Sequence, residues 1–408
     1  MKPEQFVGLD IGTSMVRCVI GTFDPNGSNM PSIIGHGQAS NNGMRRGAVV
    51  HVDDVADAIV KAITEAERIA GMTIKRATVN VNGSHVSGLN SEGVIAISAA
   101  NREITSDDRL RVEEAATIVK LPSNREIIQF FAKNYSLDGQ RNIKDPVGMH
   151  GVRLEVDAHM VTAATPNLRN LDMALEKAEV MANHHTVSGL AAAEAVFTRQ
   201  QKEAGTALID IGAGTTNLIV FEDGEVQHVA ILPIGGQHIT NDLAIGLKTD
   251  LDVAEAVKLQ RADLREHKTR SSGSVKVNNQ TYNFDAEEVS MIVEARVEEL
   301  LEYVEKELQK IKRAKKLPGG IVITGGTSKL PGFDEFAKEK LELPARKGSL
   351  RNIGGLVDTV EDPGYITVVG LMLLDMLLLP SLPPNSSHGH SGQNARSLFG
   401  NIMDRFRS

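Results

Sequence analysis

The chain has 408 residues, of which 41% are hydrophobic, and this is enough for two or more domains with buried cores. Its 44 lysine and arginine residues are outnumbered by 52 aspartate and glutamate residues, and the formal charge of -8 excludes a global positive field for nucleic acid. We therefore expect no nucleic-acid partner. Cys18 is the single cysteine, which excludes an internal disulfide, and the N-terminal segment lacks the apolar core of a signal peptide, so we expect a cytoplasmic protein.

A glycine turn between two apolar runs lies near the start of the chain, in FVGLDIGTSMVRCVIGTFD. This pattern predicts a β-hairpin. Gly12 lets main-chain N–H groups approach an anion, and Thr13 and Ser14 add hydroxyl donors. The turn therefore suits phosphate oxygens, and Asp10 beside it suits a hydrated Mg²⁺ that neutralises phosphate charge. A single turn of this kind is more often only structural.

The next region predicts a compact α+β module. The run ATVNVNGSHVSGLNSEGVIAIS alternates strand-like segments with turns, and SDDRLRVEEAATIV begins with a capping signal and continues as a helix. Three histidines, His85, His150 and His159, are scattered through this region. Because they do not cluster, we interpret them as ordinary surface or core residues rather than as metal ligands.

The design of the first turn returns in TALIDIGAGTTNLIVFEDG, where Asp210 corresponds to Asp10. Its glycines and hydroxyls are Gly212, Gly214, Thr215 and Thr216. A third turn, in GGIVITGGTSKLPGF, also follows an apolar strand, and Gly325 and Gly326 there let a base or ribose lie close to the backbone. Three such turns argue against a chance occurrence, and we expect Mg²⁺ to be held by Asp10 and Asp210 through water.

The C-terminal part contains one long apolar run and a basic end. The run YITVVGLMLLDMLLLP is interrupted by Asp375 and is shorter than the roughly 20 residues that span a bilayer, so we predict a buried helix. The following PSLPPNSSHGHSGQ is typical of a flexible linker. The end, GQNARSLFGNIMDRFRS, places five apolar side chains on one arc of a helix. Such a helix can dock on its own domain, bind a partner or lie in a membrane interface.

The motifs DIGTS, DIGAGTTN, GG and ITGGTSKLPG, in this order, resemble the nucleotide-binding signature of the actin, Hsp70 and sugar-kinase superfamily. The segments NVNGSHVSGLNSEGVIAIS, REITSDDRLRVEEAA and NIKDPVGMHGVRLEVDAHMVTA are similar to the inserted domain of the FtsA family of bacterial cell-division proteins. The resemblance covers essentially the whole chain. It implies an α/β, actin-like two-lobed ATPase fold with an FtsA-type inserted α+β subdomain and a C-terminal amphipathic helix.

The resemblance also implies how the chain is divided. The expected parts are 1–85 and 163–195 with the buried helix 363–380 for subdomain 1A, 86–162 for the inserted subdomain 1C, 196–243 and 320–362 for subdomain 2A, 244–319 for subdomain 2B, 381–394 for the linker, and 395–408 for an amphipathic membrane-targeting helix.

Relatives in the superfamily bind ATP with Mg²⁺, and the resemblance carries their contacts to the matching positions here. The implied nucleotide-binding residues are Asp10, Gly12, Thr13, Ser14, Asp210, Gly212, Gly214, Thr215, Thr216, Asn217, Gly235, Gly236, Glu255, Lys258, Gly325, Gly326 and Ser328. Glu255 and Lys258 are three residues apart on a predicted helix, so a solvated ion pair is the alternative for them. We interpret Glu294, Arg296 and Glu298 as a solvent-exposed helix face.

Two departures from the family pattern affect the chemistry. Met15 stands where relatives commonly have a lysine after the first turn, and Arg17, on the same side of the strand, is a candidate substitute that we add to the nucleotide-binding residues. The pair Ser188-Gly189 stands where chaperone relatives have a catalytic glutamate, and we interpret the nearby Glu194 as structural. We therefore assign no catalytic residue and expect ATP binding with at most slow hydrolysis.

The resemblance implies a protein that polymerises at the inner face of the cytoplasmic membrane, at the division site. Subdomain 2B would bind the C-terminal tail of FtsZ and so tether the FtsZ ring, and subdomain 1C would help to recruit later division proteins. The implied membrane residues are Arg396, Leu398, Phe399, Ile402, Met403, Arg405, Phe406 and Arg407. The alternatives are an ATPase or phosphotransferase of the same fold and a pilus-assembly scaffold.

Overall fold

The computed structural model describes residues 4–23, 30–98, 101–265 and 273–378. The predicted linker 381–394 and helix 395–408 lie outside these residues. The predicted membrane residues lie outside them as well: Arg396, Leu398, Phe399, Ile402, Met403, Arg405, Phe406 and Arg407.

The first glycine turn joins two antiparallel strands, and their register places Asp10 opposite Arg17. The elements up to the inserted module are β1 (Glu4–Ile11), β2 (Met15–Phe23), β3 (Ser32–Ser40), the short hairpin β4 (Met44–Arg45) and β5 (Ala48–Val49), α1 (Val52–Ala70) and β6 (Arg76–Val81). The helix α1 buries apolar residues at helical spacing, from Val55 and Ile59 to Ala62 and Ala66, and packs on β3.

The inserted module is a four-stranded antiparallel sheet with one helix on its face. Its elements are β7 (Val86–Ala96), α2 (Ser106–Thr117), β8 (Arg125–Leu137), β9 (Gln140–Ile143) and β10 (Arg153–Ala164), and the strand order is β7-β10-β8-β9. Thr105 caps α2 in a capping box with Asp108. The core of the module includes Val112 on the helix and Tyr135 and Leu154 on the sheet.

The second glycine turn joins two strands that are buried on both faces. The elements leading to it and following it are α3 (Thr165–Lys177), β11 (Met181–Val187), α4 (Ser188–Val196), α5 (Arg199–Ala204), β12 (Thr206–Ile211), β13 (Thr216–Glu222) and β14 (Glu225–Leu232). Every residue of β12 is buried, as expected for a central strand covered on both sides.

The remaining elements complete the second lobe and return the chain to the first. They are α6 (Gly236–Gly246), α7 (Leu251–Arg261), β15 (Gly273–Val277), β16 (Gln280–Phe284), α8 (Ala286–Lys310), β17 (Ile321–Thr324), α9 (Phe333–Leu341), β18 (Ala345–Lys347), β19 (Gly354–Gly355), α10 (Val357–Val360) and α11 (Ile366–Leu378). The interpretation of Arg296 on α8 as solvent-exposed is wrong, because its guanidinium is partly buried against α6 and donates to Asp242.

Each lobe is built on its own sheet. The first has the strand order β11-β6-β1-β2-β3-β19, and the second has the order β14-β13-β12-β17-β18. In each sheet the strand before a glycine turn also pairs with a parallel strand, β6 for β1 and β17 for β12. The two halves therefore share one design, and each presents its glycine turn at the carboxyl end of a central strand.

The helix α11 is buried against the first sheet, which confirms the prediction for the apolar run. Its carboxylate Asp375 is 1% exposed and accepts hydrogen bonds from Val7 N at 2.9 Å, Thr78 Oγ1 at 2.7 Å and Asn183 Nδ2 at 2.9 Å. The carboxylate that interrupts the apolar run therefore accepts from three donors, of which those of Val7 and Thr78 are fully buried. Among the described residues, no helix combines the length and the apolar character needed to cross a membrane.

Candidate nucleotide-binding site

A cavity of about 490 Å³ lies between the two lobes, at the ends of the strands that carry the glycine turns. Most of the predicted nucleotide-binding residues line it. These are Asp10, Gly12, Thr13, Ser14, Arg17, Asp210, Gly212, Thr215, Asn217, Gly236, Glu255, Lys258, Gly325 and Gly326. The structure thus brings together residues from five separate parts of the chain around one space.

Four predicted residues, Gly214, Thr216, Gly235 and Ser328, lie beside the cavity and not on its wall. The hydroxyl of Thr216 donates to Ile234 O at 2.8 Å, and that of Ser328 donates to Gly325 O at 2.7 Å. Both side chains are fully buried. These two hydroxyls therefore fix the backbone of the turns and are not directed to the cavity.

The first turn is held by its own backbone and by Asn41. Gly12 N donates to Met15 O at 3.0 Å, and a Cβ atom on Gly12 would lie 2.8 Å from that same oxygen. Asn41 Nδ2 donates to Gly12 O at 2.8 Å, and Asn41 N donates to Ser14 O at 2.9 Å. The turn is therefore preorganised, and glycine is required at its first position by close backbone approach.

The third turn combines a tight backbone with open space. Gly325 has φ 85°, and a Cβ atom there would lie 2.6 Å from Asp210 Oδ1. A Cβ atom on Gly326 would meet nothing within 4 Å. A side chain at 325 would therefore displace the carboxylate of the second turn, whereas position 326 borders free volume that a flat ligand group could fill.

The carboxylates of Asp10 and Asp210 are both buried at this cavity. Burial raises the pKa of Asp10 to about 7, with the charge of Arg17 acting in the opposite direction and that of Asp210 adding to the rise. Burial likewise raises the pKa of Asp210 to about 6, against hydrogen bonds from Asn217 and other neighbours. Two acids that share a buried site in this way fit a divalent cation, because the cation would offset the cost of ionising both.

The hydrogen bonds around Asp10 are compatible with the binding of a divalent cation by this carboxylate. Asn80 Nδ2 donates to Asp10 Oδ1 at 2.7 Å, while Asn80 Oδ1 accepts from Ile11 N at 2.7 Å. The same amide nitrogen donates to Ser188 Oγ at 3.1 Å. Asn80 therefore orients the carboxylate through one of its oxygens, and it places Ser188 on the cavity wall.

Arg17 lines the cavity, as does Met15. The guanidinium of Arg17 lies over the ring of Tyr365, 5.2 Å from its centroid, and its buried Nε has no hydrogen-bond partner within the described structure. The substitute cation proposed from the sequence is thus on the wall of the cavity, with part of its donor capacity unused.

Glu255 and Lys258 form an ion pair of 2.6 Å on α7 while they line the cavity. Lys258 Nζ also donates to Thr240 Oγ1 at 2.9 Å and to Gly236 O at 3.2 Å. The pair therefore connects α7 to the start of α6. Glu255 and Lys258 thus form the ion pair that was one alternative for them, and they also lie where a nucleotide contact, the other alternative, is possible. Glu194, in contrast, pairs with Lys202 at 2.8 Å, which agrees with its structural interpretation.

Several wall residues were not predicted from the sequence, including Asn82, Leu259, Lys329 and Thr367. Asn82 Nδ2 donates to Thr215 Oγ1 at 3.0 Å and so joins the lobes. A signal for Asn82 did exist, since it follows β6, which runs parallel to β1 and ends at the same sheet edge. Thr367, on α11, had no such signal, because only the fold brings that helix to Asp210.

Comparisons with known proteins agree with this architecture. A family model described as "Cell division protein FtsA" matches residues 207–370, and one described as "SHS2 domain inserted in FTSA" matches residues 83–162. The chain is 35% identical to the cell division protein FtsA of Pseudomonas aeruginosa, over 91% of this chain and 89% of that protein. It is 37% identical to FtsA of Bacillus subtilis, over 90% of this chain and 83% of that protein.

Solved structures with the same fold are much more distant in sequence. A PilM-PilN type IV pilus biogenesis complex matches with a TM-score of 0.65 at 16% identity, over 91% of this chain and 98% of that one. MreB5 of Spiroplasma citri bound to ADP matches with a TM-score of 0.53 at 14% identity, over 91% of this chain and 96% of that one. A MamK double helical filament matches with a TM-score of 0.52 at 15% identity, over 93% of this chain and 99% of that one. These likenesses establish an actin-like fold.

Proposed function

The chain belongs to the FtsA family of cell division proteins, and from this premise we infer that it is an ATP-binding scaffold of the division machinery. ATP with Mg²⁺ would occupy the cavity between the lobes. The phosphates would lie between the first two glycine turns, and the adenosine would lie toward Gly326, Glu255 and Lys258. The single observation that carries this proposal is the paired, buried Asp10 and Asp210 at a cavity lined by three glycine turns.

The bound nucleotide would act mainly as a conformational ligand. Among the described residues, the carboxylates on the cavity wall are Asp10, Asp210 and Glu255, and Glu255 is paired with Lys258. None of them is a free base for a water nucleophile once Mg²⁺ occupies the two aspartates. General-base assistance is typically worth about 10²- to 10⁴-fold. We therefore propose slow turnover, in which ATP biases the protein toward the closed, polymerising state by binding it more tightly.

The turnover proposal makes a direct prediction. Purified protein is expected to bind ATP saturably, because the cavity supplies both a cation site and phosphate-binding turns, and to release phosphate far more slowly than it exchanges nucleotide. Fluorescent-nucleotide exchange and phosphate release, measured in the same buffer, test this. Rapid multiple-turnover hydrolysis by the pure protein would contradict it and would favour an ATPase or phosphotransferase.

The C-terminal helix would attach the polymer to the cytoplasmic face of the membrane. Its apolar arc would enter the interface, and Arg396, Arg405 and Arg407 would meet anionic headgroups. One short helix of this kind binds weakly and reversibly. A filament would present many such helices on one surface, so that weak sites add to a firm attachment.

Sedimentation with anionic liposomes tests the anchor. Full-length protein with ATP and Mg²⁺ is expected to sediment with the vesicles, while protein truncated after Gly392 stays in solution. Leu398→Glu and Phe406→Glu place a charge in the apolar arc and should give the same loss without changing ATP binding. Ser397→Glu adds the same charge on the opposite face of the helix and should still sediment. Equal sedimentation of truncated and full-length protein would refute the anchor.

We further propose that the tail of FtsZ binds subdomain 2B, residues 244–319, which begins at the end of α6 and contains α7, the hairpin β15-β16 and α8. Ile245 at the end of α6 is 77% exposed and borders two hollows there. One, of about 640 Å³, includes Tyr282, Phe284 and Lys248, and the other, of about 350 Å³, includes Arg296. Arg296 is already paired with Asp242 and Glu299, so the exposed apolar side chain of Ile245, with Tyr282 and Phe284 beside Lys248, is what suits an acidic peptide with apolar anchors.

Replacing Ile245 by aspartate is expected to weaken binding of an FtsZ tail peptide at least about tenfold, because an exposed anchor becomes a repelling charge. Fluorescence anisotropy with a labelled peptide measures this. Ile118→Asp is the matched control, since Ile118 is 85% exposed at the end of α2 in the inserted module. Equal affinities for the Ile245 variant and the unchanged protein would remove this surface from the proposal. The inserted module is the proposed contact for other division proteins, whatever the result for Ile245.

A further inference from the structure

The hairpin β4-β5 is fixed to the first phosphate turn. Gly47 N donates to Thr13 Oγ1 at 3.0 Å, so the tip of the hairpin is bound to a hydroxyl of the turn itself. The base of the hairpin is closed by Val50 N and His51 N, which donate to Gly43 O at 2.8 and 3.0 Å. Gly43 N in turn donates to Asn41 Oδ1, and Asn41 also holds the first turn. The hairpin and the turn therefore form one rigid unit.

The tip has an unusual backbone that sets the position of Arg46. Arg46 has φ 49° and Gly47 has φ 76°, so two successive residues are left-handed, which is uncommon for a residue other than glycine. Gly47 also packs against Gly83, since a Cβ atom on Gly47 would lie 2.6 Å from Gly83 Cα. Because Gly47 is fixed by its close packing on Gly83, the preceding residue, Arg46, is held in its left-handed conformation.

Arg46 also touches the second phosphate turn. A Cβ atom on Gly214 would lie 3.1 Å from Arg46 Cα and 2.8 Å from Thr13 Oγ1. Its charge reaches the start of α6 as well: burial is the main cause that lowers the pKa of His238, and the charges of Arg46 and Arg296 lower it further. Arg46 thus lies where the first turn, the second turn and the amino end of α6 meet.

Arg46 is not one of the residues that line the cavity, so its side chain would reach the phosphates from the exposed tip of the hairpin. Arg46 is exposed, and within the described parts of the chain it has no ion pair or hydrogen bond through its guanidinium. Of the cations on the wall of the cavity, Arg17 packs on Tyr365, Lys258 is paired with Glu255 and Lys329 is paired with Asp362. A guanidinium is always charged at neutral pH, and its planar fork matches phosphate oxygens.

We propose that Arg46 binds the terminal phosphate of ATP and thereby distinguishes ATP from ADP. This inference rests on the proposed function, since it needs a nucleotide with its phosphates between the two turns. The tip belongs to the first lobe and contacts the second. A terminal phosphate bound by Arg46 would therefore hold the lobes together, and its loss would release them.

The test compares affinities for ATP and ADP, both with Mg²⁺, in the full chain and its variants by isothermal titration calorimetry. Arg46→Ala is expected to weaken ATP binding about tenfold or more, because a hydrogen-bonded charge pair is lost, and to change ADP binding less than about twofold. Arg46→Lys should recover part of the ATP affinity. Arg45→Ala removes the same charge from the neighbouring exposed residue and should leave both affinities unchanged.

Arg46→Asn keeps a residue that tolerates the left-handed backbone, so it removes the charge even if the alanine variant folds poorly. Unchanged ATP binding by Arg46→Asn, or an equal loss for ATP and ADP, would overturn the assignment of Arg46. If the unchanged protein binds neither nucleotide, the proposed function itself fails. The two failures are therefore distinguishable by the behaviour of the unchanged chain.

Discussion

Replacing Asp10 by asparagine is expected to stabilise the nucleotide-free protein at pH 8 and, in the same variant, to weaken magnesium-dependent ATP binding. Asparagine keeps the shape of the side chain and an oxygen that can accept from Asn80 Nδ2, which lies 2.7 Å from Asp10 Oδ1. It removes the buried charge. The two effects have opposite signs because the ionised carboxylate destabilises the folded protein when no cation is bound, whereas it is needed to bind the cation.

The expected stability change depends on pH in a defined direction. Burial raises the pKa of Asp10 in the folded protein from 3.8 to about 7. The fold therefore favours the neutral acid, and this contribution to stability is complete below pH 3.8 and is lost as pH rises through 7. At pH 8 the cost of ionisation is of the order of 4 kcal/mol, which Asp10→Asn would relieve, and at pH 5 it is only roughly 2 kcal/mol, because the unfolded chain is already ionised there while the folded acid is still neutral. The thermal melting midpoints of both proteins at these two pH values measure the difference.

The ligand effect is expected to be large. Asp10 would hold the cation through water, and the loss of such an outer-shell partner typically costs about 10- to 100-fold, so Mg²⁺-dependent ATP binding should weaken by about that factor. Titration of ATP with and without Mg²⁺ checks this. Asp54→Asn, at an exposed position on α1, should alter neither binding nor the pH dependence of melting. A variant at Asp10 that melts like the unchanged protein at both pH values, or that binds Mg²⁺ and ATP normally, would contradict the prediction.

Replacing Gly370 by alanine is expected to destabilise the first lobe by about 3 kcal/mol or more. Gly370 lies on α11, and a Cβ atom there would be 1.7 Å from Ala191 O and 2.3 Å from Ala191 C on α4. Both atoms belong to the backbone of a packed helix, so no side-chain rotation can relieve the overlap. The two helices must separate, which costs packing energy along their whole contact.

The matched control is Gly189→Ala on the facing helix α4. A Cβ atom there would lie 3.4 Å from Asn217 Cβ and 3.7 Å from atoms of Ile219, which is ordinary contact. In an unpacked helix both changes would stabilise by about 1 kcal/mol, because alanine favours the helix over glycine. Packing therefore decides the sign: Gly189→Ala should melt at or above the midpoint of the unchanged protein, and Gly370→Ala well below it. Equal midpoints for the two variants would contradict the close approach of α11 and α4.

The separation of α11 should also reach the nucleotide site. Thr367 at the start of this helix lies 3.4 Å from Asp210 Oδ2. Nucleotide binding by Gly370→Ala should accordingly weaken, even under conditions in which the variant remains folded. The buried helix is thus part of the support of the second turn, as well as of the first sheet.

Local spacing was sufficient to predict the central features of this protein. Each Asp-Ile-Gly motif follows an apolar strand and begins a turn, and both the hairpin and the backbone of its turn depend on neighbours within a few residues. The buried character of α11 also followed from a local property, the length of its apolar run around Asp375. The resemblance to FtsA supplied the grouping of these turns about one ligand, and the structure places Asp10, Asp210 and Gly326 on one cavity.

Contacts between distant segments were decided by the tertiary structure alone. The sequence suggested that His159 was an ordinary core or surface residue; in the fold its Nδ1 donates to Asn90 Oδ1 at 2.8 Å, and its Nε2 accepts from Val229 N at 3.0 Å. Burial lowers the pKa of His159 to about 3, which keeps this acceptor neutral. The inserted module is therefore docked on the edge strand β14 of the second lobe, a contact between residues 70 positions apart.

The difference between local features and contacts of distant segments also explains which residues of the candidate site could be predicted from the sequence. A glycine turn can be recognised from a few adjacent residues, because its backbone conformation is set locally. Which of the two threonines lines the cavity, as Thr215 does, and which has its hydroxyl turned to a carbonyl, as Thr216 does, depends on strands that pair later in the chain. Arg46 was not predicted from the sequence: only the packing of Gly47 on Gly83, and of Gly214 beside Arg46, brings the backbone of this residue next to the first two glycine turns.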